Sequence, residues 1–204
     1  MPNREARPGV LTVGPVMPLA TARTVLTPVT TDAYAWLYKL AVSDEVGWRW
    51  RWRGHHPSPE AFAQRLWQDI LVQYVVVDRR TSAPIGLLQA YGHDPGARHC
   101  HITVMFDPTV HRVGWHLEAV ELFISHLFDR WGMQKIYAEA HALNEQQFAS
   151  GMGSAFVEEG RYPEHVEYQG QLVDFAIFAA YADDWHRHRE QGFTGRQQSL
   201  RDLL

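Results

Sequence analysis

Two histidines stand one residue apart in "HCHITVMFD", His99 and His101. If that stretch is extended, both imidazoles lie on one face. An imidazole, with an ordinary pKa of about 6.5, suits the uptake and release of a proton near neutral pH. A structural histidine with a hydrogen-bond partner fits the same position. Further on, "HRVGWHLEAV" (111–120) has the form of a glycine-containing loop opening a helix. Such a loop aims backbone N–H groups and the positive end of the helix dipole at a phosphate. A third stretch, "GWRWRWRGHH" (47–56), alternates Trp48, Trp50 and Trp52 with Arg49, Arg51 and Arg53. If extended, it offers an aromatic face and a cationic face, a wall for a flat or anionic molecule. The plainer alternative is tryptophans capping the core while the arginines face water. His99 and His101 lack a third ligand at matching local spacing, so no metal is expected.

The elements that must position these residues follow from periodicity. "RTVLTPV" reads as a short strand. "TTDAYAWLYKLAVS" reads as a helix capped by Thr31 or Asp32, and "SPEAFAQRLWQDI" as a second, capped by Ser58 with Pro59 in its first turn, running to about Ile70. "LVQYVVVD" and "PIGLLQAYG", joined by "RRTSA", predict an antiparallel hairpin, and "HCHITVMFD" a third strand. Leu117, Val120, Ile124, Leu127, Phe128 and Trp131 repeat near 3.6 residues, predicting a helix over 113–131 that Gly132 ends. "KIYAEAHA" is a strand, "NEQQFASGM" a short helix, and "AFVEEGRY" and "QLVDFAIFAAY" two closing strands. The order βααβββαβαββ is a mixed α/β single domain over 23–185. It follows a loosely ordered arm at 1–22, rich in proline and glycine, and precedes a polar tail at 186–204.

Composition narrows the function. The net charge of -4 is divided: residues 1–23 and 186–204 each carry +2, leaving -8 between them. An acidic body speaks against duplex DNA and for a cationic, amine-bearing molecule. Cys100 is the single cysteine, so no internal disulfide or cysteine zinc set is available. No stretch reads as a membrane span or a signal peptide, and a cytoplasmic location is expected.

Taken in order, "PIGLLQAYGHDP", "ITVMFDPTVHRVGWHLEAV", "KIYAEAHALN", "AFVEEGR" and "QLVDFAIFAAYADDW" resemble the GNAT superfamily of N-acyltransferases. The likeness is specifically to the branch that acetylates ribosomal-protein N-termini and to its small-molecule relatives. It spans roughly residues 23–185. The resemblance implies a mixed sheet of six or seven strands, splayed between "HITVMFD" and "KIYAEAH", with acyl-CoA as co-substrate. It implies a backbone N–H near Val104 to Phe106 that polarises the thioester carbonyl. It also implies a diphosphate held by the loop His111, Arg112, Val113, Gly114, Trp115 and His116. Trp48, Trp50, Trp52 and His99 would border the acceptor, the amine of a small molecule or of a protein N-terminus. A monomer or homodimer is expected.

The sequence departs from the family at chemically sensitive points. The loop pattern is Gln or Arg, two variable residues, Gly, one variable residue, then Gly or Ala. Here His111 replaces the first and His116 the last, where phosphate oxygens normally approach a backbone with no side chain. With CoA as donor, the His116 imidazole is expected to turn away from the diphosphate. His101 stands where many relatives place a glutamate base. Asn144 matches the asparagine that opens the family's fourth helix and contacts the donor. The tyrosine or serine that protonates the leaving thiolate is absent, its positions falling near Gln147 and Gly151. An aminoacyl-tRNA donor, as in GNAT-like enzymes of natural-product assembly, is therefore an alternative to acyl-CoA, and a non-catalytic binding module a second.

Overall fold

The computed structural model describes residues 19–48, 50, 54–110, 114–142, 144–145 and 155–190. Seven strands form one sheet: β1 (Thr24–Pro28), β2 (Ile70–Asp78), β3 (Pro84–Asp94), β4 (His99–Phe106), β5 (Lys135–His141), β6 (Val157–Tyr168) and β7 (Gln171–Tyr181). Their spatial order is β1-β2-β3-β4-β5-β7-β6. Every pairing is antiparallel except β4 with β5. Four α-helices are described: α1 (Tyr34–Ala41), α2 (Pro59–Leu66), α3 (Trp115–Trp131) and α4 (Ala182–Glu190).

Each face of the sheet has its own core. Leu87, Val75 and Met105 face α1 and α2, where Leu37, Leu40, Phe62 and Leu66 close over them. On the other face, Leu88, Ala90, Cys100, Ile102, Ile136 and Ala138 meet Phe123, Ile124 and Leu127 of α3. The 3.6-residue period of α3 makes this possible, since Ala119, Val120, Phe123, Ile124, Leu127 and Phe128 form one buried stripe. Gly132 ends the helix in the left-handed region at φ 59°, its N–H returning to the Phe128 carbonyl at 3.0 Å.

The expected elements are present among the described residues, with four local differences; the short helix expected in "NEQQFASGM" lies, beyond its first two residues, outside the described residues. The first helix has no side-chain cap at Thr31 or Asp32. A 3-10 turn over Thr31–Ala33 leads into α1 instead. Ser58 does cap α2, its hydroxyl accepting from the Ala61 N–H at 3.2 Å. That helix stops at Leu66, short of Ile70, because Asp69 at φ 59° turns the chain and Ile70 already begins β2. The last residues of the expected arm are tied down: Ala20 bridges to Val25, and Leu19 packs on the core. The expected tail begins inside a helix, since α4 runs to Glu190 around the fully buried Trp185. Asp183 and Asp184 in its first turn and Arg187, His188 and Arg189 in its last complement the helix dipole.

Candidate active site

β4 and β5 are hydrogen-bonded only over their first halves, His99–Ile102 against Lys135–Ala138. β4 continues to Phe106 and β5 to His141 without pairing, so the two central strands part at Thr103 and Glu139. An open strand edge in the middle of a sheet leaves backbone groups that need water or a ligand. Val104, in the parted segment, is 43% exposed.

Beside the fork lie the two histidines. His99 and His101 share a face, their ring centroids 6.2 Å apart. His101 stacks on Tyr137 at 5.1 Å and leans on Tyr91 at 5.5 Å. Its Nδ1 lies 3.2 Å from Oε1 of Glu139, the first β5 residue past the last β4–β5 pair. This is ion-pair distance without the alignment of a formed hydrogen bond. With Nδ1 turned toward a carboxylate, Nε2 is the nitrogen left to take a proton. Glu139 and Tyr137 were not picked out from sequence. The signal was there: alternation in "KIYAEAH" puts Tyr137, Glu139 and His141 on one face.

On the opposite face, α3 begins at the end of the β4 side of the fork. Gly114 is its N-cap, left-handed at φ 85°, and among the described residues no side chain caps the first-turn N–H groups. His111, Arg112, Val113, Gln147 and Gly151 lie outside the described residues. The His116 imidazole lies face to face on the Phe106 ring, centroids 4.0 Å apart and 18° from parallel. It therefore packs on the end of β4 rather than projecting outward. Beneath Phe106 is Gly86, where a Cβ would stand 2.4 Å from Cδ1 of that ring. Asn144 opens the segment after β5. Its buried Oδ1 finds no hydrogen-bond partner among the described residues. The neighbouring Glu145 is gripped at 2.7 and 3.2 Å by Arg161 of β6, which also holds Glu158. Arg161 thus fixes the start of this segment beside the fork.

Burial holds the His116 imidazole below its usual pKa, and it does the same to His126 on the outer part of α3. Both therefore bind protons less readily folded than unfolded. Their contribution to stability is complete above the ordinary histidine range and is lost as pH falls through it. Denaturant unfolding between pH 7.5 and 5.5 should show stability falling. In His116→Gln and His126→Gln variants that slope should flatten; an unchanged slope would assign the acid sensitivity to other groups.

The tryptophan triplet divides. Trp48 lies in a turn and Trp50 in a bend rather than in a strand, so simple alternation does not govern them. Trp50 is 4% exposed, packs against Phe62, and donates its indole N–H to Gln89 at 3.2 Å. It belongs to the core, which corrects its expected place in an acceptor wall. Trp52 lies outside the described residues. Trp48 is half-buried, stacked on Tyr168 at 3.9 Å and 5.2 Å from His141 of β5. It lines a cavity of about 330 Å³ with Asp44, His56, Glu167 and Tyr168 among its walls. The β5 face thus runs from Glu139 to His141 and on to Trp48 and the cavity. Among the described residues no group of three or more His, Cys, Asp or Glu is placed to hold a metal.

A parallel pair of central strands that part, with a helix N-terminus behind the gap, makes a cleft able to take an extended ligand that carries negative charge. The sequence matches the acetyltransferase (GNAT) domain over residues 23–149, well over half of the chain, and the chain belongs to that family. It is an acyltransferase. Among solved structures it is similar to spermidine N-acetyltransferase from Vibrio cholerae in complex with CoA and spermine. That match has a TM-score of 0.72 at 15% identity, covering 81% of this chain and 99% of the other. It is also similar to the spermidine/spermine N-acetyltransferase SpeG of the same organism in complex with manganese ions. There the TM-score is 0.67 at 16% identity, covering 82% and 97%. No curated protein sequence matches the chain.

Proposed function

We propose that this acyltransferase moves an acyl group from acyl-CoA to the primary amine of a small cationic molecule, with His101 as the base. The observation that carries the reading is the fork between β4 and β5 with His101 and Glu139 on its lip. The residues present suit the donor. Thr103–Phe106 offer an open backbone edge for the pantetheine arm and a backbone N–H for the carbonyl. Gly114, Trp115 and His116 bring first-turn N–H groups to the diphosphate. The orphaned Asn144 Oδ1 is an acceptor for an amide N–H of the donor. Bound there, the thioester supplies a carbonyl activated toward amines. The protein's part is to bring the amine to it neutral: His101 takes the ammonium proton at Nε2, while Glu139 orients the ring and offsets its charge. The C–N bond then forms as the C–S bond breaks, and CoA leaves as a thiolate that takes up the second proton shed by the nitrogen.

The acceptor reading rests on the cavity beside Trp48. Asp44 and Glu167 give it negative charge, and Trp48 and Tyr168 give it an aromatic wall, a combination suited to an ammonium group. The acidic body of the chain agrees in sign. A protein N-terminal amine, as in the ribosomal-protein branch, is the competing acceptor. The cytoplasmic assignment remains our reading. Cys100 is buried, its thiol pushed up to about 12 by desolvation, and no helix among the described residues is long and apolar enough to cross a membrane.

Calorimetry with acetyl-CoA and, separately, with a charged-tRNA pool tests the donor. Micromolar acetyl-CoA binding with no affinity for the pool is expected. The reverse, with binding that weakens steeply in salt, would replace acyl-CoA by aminoacyl-tRNA. Acetyl-CoA turnover against diamines and against N-terminal peptides then separates the two acceptor classes; diamines are expected to win.

A further inference from the structure

We infer that Arg23, at the head of β1, is a ligand for the donor's diphosphate. The inference rests on the acyl-CoA reading above and extends it to a residue that the glycine loop does not contain. Arg23 is fixed where it stands: its backbone N–H donates to Thr21 Oγ1 at 3.1 Å, and its carbonyl accepts from the Arg79 N–H at 2.9 Å. From there its side chain crosses to the N-terminus of α3. Nη1 lies 3.9 Å from the point a Cβ on Gly114 would occupy, and Cζ is 6.0 Å from the centroid of the Trp115 ring.

That position is electrostatically odd. The N-terminus of a 17-residue helix carries positive partial charge, and among the described residues no side chain caps it. A guanidinium beside it is the wrong sign for the dipole. Glu118 offsets this only in part. One oxygen approaches Nη1 at 3.4 Å, outside ordinary hydrogen-bond length, and its other oxygen is buried with no hydrogen-bond partner among the described residues. Among the described residues the remaining guanidinium N–H groups of Arg23 have no hydrogen-bond partner, and the side chain is 42% exposed. Cation, dipole and free N–H groups thus converge at Gly114, and an anion there satisfies all three. A diphosphate matches best, because a guanidinium fork can meet two of its oxygens while the helix N–H groups meet others. Glu118, which competes for Nη1 at 3.4 Å only, leaves most of the guanidinium charge to that anion.

The test compares CoA, read by calorimetry, with S-acetyl-pantetheine, a donor without phosphate, read by kcat/KM. Arg23→Gln should weaken CoA about tenfold or more, the scale of one charge-assisted contact, and leave S-acetyl-pantetheine turnover unchanged. Arg23→Lys should recover only part of the loss, since an ammonium cannot reproduce the fork. Glu118→Gln should keep CoA affinity or tighten it. Arg23→Gln binding CoA as the wild type does would overturn the assignment. So would equal loss with both donors, or a Glu118→Gln variant that loses as much as Arg23→Gln, since either makes the pair structural. A wild type that binds no CoA would instead remove the acyl-CoA reading and this assignment with it.

Discussion

His101→Ala is expected to lower kcat with an amine acceptor by about 100-fold or more, the size of general-base catalysis, with little loss of folding stability. The ring is partly exposed at the lip of the fork, stacks on Tyr137 beside Tyr91 and His99, and belongs to neither buried core, so its removal opens no core cavity. Glu139→Gln should act through the same step. Alone it should lower kcat by roughly tenfold, less than removal of the base itself. In the His101→Ala background it should cost almost nothing further, because the carboxylate then has no imidazole to orient. Additive losses in the double variant would separate the two residues. Full activity of His101→Ala would return His101 to a packing role.

Most of the frame was legible in the sequence because it depends on local rules. The β-rich run "LVQYVVVD" reads as a strand, the 3.6-residue stripe from Leu117 to Trp131 states which face of its helix is buried, and each is realised. The parting of β4 from β5 is not a local property. It came from likeness to a family and appears as the loss of pairing after Ile102 and Ala138. Residues that meet across that fork are hidden for the same reason. His101 and Glu139 are far apart in the chain, and only parallel pairing of two strands sets them diagonally opposite. Trp48 and Trp50 show the opposite failure. Two positions apart in an alternating motif, they read as equivalent, yet the segment turns, sending one indole to Gln89 in the core and the other to Tyr168 at a cavity. His116 was recognised as misplaced for its loop, but its resting place on Phe106 depends on a glycine at 86 leaving room beneath that ring.

The largest stability loss is expected from Trp185→Ala, about 3–5 kcal/mol, the usual range for deleting a large buried aromatic. Trp185 is fully buried and is the one buried residue of α4, a helix whose other positions are mostly charged or polar. Nine residues of that composition do not hold a helix in water by themselves. The indole is what docks it: its ring packs near Phe128 of α3 and Phe156 at the entrance to β6, and its Nε1–H donates to Ser125 Oγ at 3.0 Å. Arg189 to Asp129, at 3.0 Å, adds an exposed pair worth little alone. Removing the indole therefore leaves a cavity beneath α3, strands the Ser125 hydroxyl and frees α4. Trp185→Phe, which keeps most of the volume and loses the hydrogen bond, should cost clearly less. Urea unfolding gives the free energies, and amide exchange over 182–190 reports whether α4 detaches first. If Trp185→Ala costs under about 1 kcal/mol, below the range for a buried aromatic, then α4 is a peripheral extension and the domain core ends with β7.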